Sequence, residues 1–99
     1  MTIYEFKTSL TVSAGSASTV TLSVRGGILR NVFVKANTST TVFRFNMQDE
    51  DGLSRLDYGF STGMINDHLA FPMVNKYTLG ITNANPSNDT FAVRLGVEE

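Results

Sequence analysis

Thr41-Val42-Phe43-Arg44-Phe45-Asn46-Met47-Gln48 is the stretch that decides the fold. Thr41, Phe43, Phe45 and Met47 share one parity, and Val42, Arg44, Asn46 and Gln48 share the other. A period of two is the signature of a half-buried strand, because successive side chains of an extended chain point to opposite faces. The closing stretch repeats the pattern, with Phe91, Val93, Leu95 and Val97 set against Ala92, Arg94, Gly96 and Glu98.

Working outward, the same alternation recurs. Tyr4, Phe6, Leu10 and Val12 share a face, as do Val20, Leu22 and Val24 against Thr19, Thr21 and Ser23. Tyr77, Leu79 and Ile81 alternate with Thr78, Gly80 and Thr82. Ser13–Ser18, Asn37–Thr40 and Asn83–Asp89 carry the small and Asx-type residues of turns and loops. Arg25-Gly26-Gly27 reads as a further turn, since glycine allows the positive φ of tight hairpins. Between residues 53 and 70, Tyr58, Phe60, Thr62 and Met64 alternate with Gly59, Ser61 and Gly63. A strand fits there, with the glycines marking a bulge or a close backbone approach. Pro72 confines the Leu69–Val74 strand to a sheet edge, because proline donates no ladder hydrogen bond. Asp67-His68-Leu69-Ala70 has room for one helical turn, but no longer helix with an apolar stripe is present.

About eight short strands in one 99-residue domain, residues 1–99, predict an all-β, jelly-roll-like antiparallel sandwich. Its expected core is Phe6, Leu10, Val20, Leu22, Phe43, Phe45, Leu79, Ile81, Phe91, Val93 and Leu95. The strand from Ile28 to Ala36 breaks the alternation, since Ile28, Val32 and Val34 share one parity and Leu29 and Phe33 the other. Two readings follow. The strand is covered on both faces or bulges, or Leu29 and Phe33 face a partner subunit.

Charged residues make up 17% of the chain, against roughly 25% in an average domain. Net charge is −1 and the basic residues are scattered, so neither a nucleic acid nor an anionic membrane is an expected partner. No apolar run reaches the roughly 20 residues of a membrane-spanning helix. Met1–Lys7 does not pair a basic region with an apolar stretch, so a secretory signal is not expected. With no cysteine there is no disulfide and no thiol chemistry in these residues.

Chemistry-bearing residues are few. Asp49, Asp51 and Gly52 start like a calcium loop, but Leu53 and Phe60 stand where an EF-hand places oxygen ligands. A hairpin turn is the expected outcome, with an irregular cation site of Asp49, Asp51 and Asp57 as the alternative. His68 is the sole histidine, and no Gly-x-Ser-x-Gly elbow accompanies it. No enzyme activity and no cofactor or metal is expected. Asn37-Thr38-Ser39 and Asn88-Asp89-Thr90 match the glycosylation acceptor pattern, and turn composition accounts for both. Tyr4, Tyr58 and Tyr77 are candidates for a sugar-stacking platform, although no tryptophan joins them.

Gly27–Lys35 with Thr40–Gly52, and Leu79–Ala84 with Thr90–Glu99, resemble the small β-sandwich virion proteins of tailed bacteriophages. The likeness is to capsid cement or decoration proteins, in strand style and composition. It implies a structural role: binding the outer surface of a phage head, bridging major capsid protein subunits, and residing on the virion after synthesis in the host cytoplasm. The implied partners are the major capsid protein or another virion protein, with self-association as a dimer or trimer. Tyr4, Leu29 and Phe33 are the expected contacts. A tail, collar or baseplate accessory protein is the alternative within the same style, and a carbohydrate-binding sandwich is the alternative outside it.

Overall fold

The computed structural model describes residues 3–99, leaving aside the side chains of residues 24, 25 and 75. In chain order the strands are β1 (Ile3–Val12), β2 (Ala17–Ala36), β3 (Val42–Gln48), β4 (Ser54–Thr62), β5 (Met64–Asn83) and β6 (Asp89–Glu98). The predicted helical turn at residues 67–70 is strand instead, lying within β5. Its cross-strand partners on β2 hold it extended, which local sequence does not reveal.

All pairings are antiparallel, in the hydrogen-bonded order β1-β6-β2-β5-β3-β4. The two 20-residue strands make this continuous array into two layers. Residues 28–36 of β2 pair with β6, while residues 78–83 of β5 pair with β3. The first layer is therefore β1, β6, residues 27–36 and residues 64–73. The second is residues 17–24, residues 76–83, β3 and β4. Six strands thus supply eight segments, four to a sheet. Numbered along the chain, the sheets read 1-8-3-6 and 2-7-4-5, which is one long hairpin rolled up on itself. This is the jelly-roll sandwich that the alternations predict.

Arg25-Gly26-Gly27 is the corner of this roll and not a hairpin turn. Gly26 and Gly27 have φ of 132° and 135°, and the register with β5 slips between Val24 and Gly27. A bulge there increases the local twist and redirects the chain from one sheet into the other. Opposite it, the Val74 amide finds the Tyr77 hydroxyl as its acceptor at 2.9 Å.

The core lies between the sheets. Phe43, Phe45, Met47, Leu79, Ile81, Phe91, Val93, Leu95 and Val97 are all fully buried. Leu22 joins them, while Phe6, Leu10 and Val20 are half-buried at the margin. Phe43 and Phe91 meet across the layers with ring centroids 5.1 Å apart. Such a tilted pair contributes about 0.5–1.5 kcal/mol beyond its area burial. The segment holding Pro72 is an edge, as its missing donor requires.

Candidate functional site

Arg30 is an extra residue against β6, between Leu29 paired with Val97 and Asn31 paired with Gly96. This bulge switches parity. Leu29 faces inward before it and is fully buried, with Val32, Val34 and Ala36 inward after it. Leu29 is therefore a core residue and leaves the expected contact set. Phe33 lands on the opposite, outer face and stays half-exposed. Tyr4, the second residue of β1, is 47% exposed.

Around Phe33 the outer face of the first sheet is built from four adjacent strand segments. The register places Lys7, Arg94, Phe33 and Asn66 in one row across four strands, with Ser9, Ala92, Lys35 and Met64 in the next. Lys7 is paired with Glu5 at 3.2 Å. Lys35 and Arg94 have no ion-pair partner among the described residues. Two open recesses flank Lys35. One of about 520 Å³ is lined by Asn37, Ser39, Thr62, Gly63 and Met64, and one of about 220 Å³ by Ser9, Asn37, Thr90 and Ala92. Both offer hydroxyls, an amide, a cation and apolar patches, without a carboxylate or imidazole. The arrangement can dock a surface, and it places no acid–base pair against a nucleophile.

Asp49 makes a turn. Its Oδ1 accepts from the amides of Asp51 and Leu53, each at 3.0 Å. Asp57 is turned away to Arg44, whose guanidinium holds the Asp57 carboxyl below the usual carboxylate range. Among the described residues no three His, Asp or Glu side chains converge as metal ligands. His68 points outward, opposite Asn31 on the same face as Phe33. The tyrosines form no platform. Tyr77 is buried, and Tyr58 donates to Asp67 Oδ2 at 3.0 Å. Partial burial and that carboxylate push the Tyr58 hydroxyl up to about 12.

Both glycosylation-like triplets belong to a polar clasp where the chain crosses between the sheets. Asp89 Oδ2 accepts from Thr41 Oγ1 at 2.6 Å and from the Thr38 amide at 3.2 Å. Its Oδ1 accepts from the Thr90 amide at 2.8 Å. Burial alone would raise the Asp89 pKa, but these donors together with the Asn37 amide outweigh it and hold the value low. Fully buried Asn83 donates to the carbonyls of Val12 and Ser87 at 3.1 and 2.9 Å, and accepts from the Asn85 amide. Asn88 Oδ1 accepts from the Ala14 amide at 2.9 Å.

Lys35 and Arg94 were not singled out by the sequence reading. Their polar parity in apolar strands was visible, but their shared face depends on β2 lying beside β6.

No protein-family model and no curated protein matches the chain. Solved structures do match. The Yersinia pseudotuberculosis-derived mitogen aligns over 97% of this chain and 87% of its own, with a TM-score of 0.55 and 6% identity. The protein FLHE aligns over 98% of both chains, with a TM-score of 0.52 and 13% identity. A subunit of the Bacillus endospore appendages, a family of disulfide-linked pili, aligns over 98% of this chain and 88% of its own, at 0.51 and 15%. At such identities the shared property is the fold.

Proposed function

We propose that this chain is a structural virion protein, a cement protein that binds the outer surface of a phage head and bridges major capsid protein subunits. One observation carries the reading. All connections between the sheets are short and tied down, so the molecule presents sheet faces and strand edges in place of long recognition loops. Enzymes and ligand-binding sandwiches concentrate function on loops held by a rigid scaffold. A lattice-binding protein needs rigid faces, because many modest contacts repeated over a shell give high total affinity. The Bacillus pilus subunit is an instance of this fold in an assembling protein.

The contact face is the outer side of the first sheet, centred on Phe33 with Lys35 and Arg94 beside it. It suits an apolar spot ringed by carboxylates on the shell. The test is the copy number of this chain per purified virus particle, measured by quantitative mass spectrometry against the shell protein. Hundreds of copies in a simple ratio are expected, and Phe33→Ser is expected to lower occupancy at least tenfold. A handful of copies would move the chain to the tail, collar or baseplate. Complete absence from particles would overturn the virion reading.

A further inference from the structure

Four segments form the edges of the two sheets, and they are not equally protected. β4 breaks register with β3 twice, between Arg44 and Asn46 and between Met47 and Gln48. Residues 64–74 carry Pro72 and the irregularity opposite Arg30. Bulges and proline are the devices by which sheet edges avoid pairing with other chains. On the opposite side, β1 runs ten residues against β6 without a register shift, a bulge or a proline. Residues 17–24 are equally regular, but their outward side chains are only Ala17, Thr19, Thr21 and Ser23, which define no register.

β1 does define one. Its outward face carries Glu5 and Lys7, exposed and of opposite sign, two residues apart. If two β1 strands pair antiparallel about a twofold axis at Phe6, Glu5 of each copy stands opposite Lys7 of the other. In the same register Tyr4 faces Thr8 and Ile3 faces Ser9. Directly opposed residues of an antiparallel pair share a face, so both charge pairs form together on the outer side. Lys7 also stands opposite Arg94 within its own chain, a like-charge neighbour that a second carboxylate would offset. On the inner side the two half-buried Phe6 rings would meet, covering apolar surface left open at the sheet margin.

We propose that β1 is a self-association edge, and that a second copy of this chain adds to it in the Glu5–Lys7 register. The product is a twofold dimer with a continuous eight-stranded outer sheet, an isologous arrangement that closes on itself. The proposal deepens the assembly reading by naming the strand that joins copies. It leaves the Phe33 centre of the outer face free for the shell.

The test is sedimentation equilibrium of the wild type, Glu5→Lys and Lys7→Glu, alone and mixed. The wild type is expected to dimerise. Each single variant puts like charges at both pairs and should weaken the dimer by about tenfold or more. An equimolar mixture of the two variants should recover a heterodimer. A second arm uses the absence of cysteine in the chain. Oxidation of mixed Glu5→Cys and Lys7→Cys proteins should give a cross-linked dimer, since opposed Cα atoms lie about 4.5–5.5 Å apart, within disulfide reach. Either variant oxidised alone should not. A monomeric wild type, a trimer, or a dimer indifferent to both charge reversals overturns the proposal. If the chain is abundant on particles yet monomeric in solution, the β1 edge fails and the virion reading stands. If it dimerises as described but is absent from particles, the reverse holds.

Discussion

At one end of the sandwich the chain passes between the sheets through residues 13–16, 37–41, 63 and 84–88. At the other, β2 and β5 bend through without any loop. The looped end is held by side-chain oxygens and amides. Asn83 and Asp89 alone tie down backbone groups of Val12, Thr38, Asn85, Ser87 and Thr90. Gly63 completes it, at φ 76°, because a Cβ there would run into the Ser39 carbonyl oxygen. The bent end relies on glycine backbone conformation and a bulge, with a single side-chain tie, from the Val74 amide to the Tyr77 hydroxyl. Loops bring unpaired amides and carbonyls that must be satisfied, whereas a bent strand keeps most of its ladder and pays mainly in conformation.

The largest effect expected from this contrast is at Asn83. Asn83→Ala leaves the Val12 carbonyl without its partner in a buried place, and the Ser87 carbonyl and the Asn85 amide without theirs in partly buried ones. At about 1–3 kcal/mol for the buried orphan and less for the two that water can reach, the loss is about 2–4 kcal/mol. Chemical denaturation measures it. A loss under about 1 kcal/mol would mean that water replaces the amide and that the looped end is not a specific clasp.

How much of this was legible in the sequence depends on how local each signal is. The strands around Phe45 and Phe91 were readable because inward and outward residues alternate without interruption. The edge position of Pro72 followed from proline chemistry alone. Gly26 and Gly27 signalled positive φ correctly, but a hairpin turn and a sheet corner make the same demand. Only the matching bend in β5, about 50 residues away, distinguishes them. The broken alternation of Ile28–Ala36 allowed either a bulge or a partner-facing Leu29, and the structure has the bulge: a single extra residue, Arg30, turns Leu29 inward, and arginine by itself does not mark where the bulge falls. Asn83 and Asp89 looked like turn composition. Their role as ties depends on Val12 and Thr41, which lie 71 and 48 residues away from them respectively.

The bent end offers the next effect. Gly27→Ala would place a Cβ 2.7 Å from the Glu98 carbonyl oxygen and 3.0 Å from Val97 Cγ1, at a φ of 135° that side chains rarely adopt. The expected cost is about 1–3 kcal/mol. The comparison with Asn83→Ala ranks the two ends. If Gly27→Ala proves the more damaging, conformation at the corner fixes the sandwich more firmly than the clasp does.

The smallest effect is visible only in acid, and it sharpens the account of the clasp. The donors around Asp89 favour its ionised form, so its folded-state pKa lies below the ordinary 3.8. A depressed carboxyl contributes stability that is fully present above the unfolded value. That stability is lost as pH falls through the lower folded value, because the folded state then resists a proton that the unfolded state accepts. Asp57 shifts in the same direction through Arg44, but this pair is exposed and contributes little. The acid limb of the stability curve should therefore be flatter in Asp89→Asn than in the wild type, and nearly unchanged in Asp57→Asn. Urea midpoints measured from neutral pH down to the acid transition read this difference directly. An unchanged slope in Asp89→Asn would mean that Thr41 and the amides hold the loop without needing the charge. The clasp would then be a matter of shape, like the corner opposite.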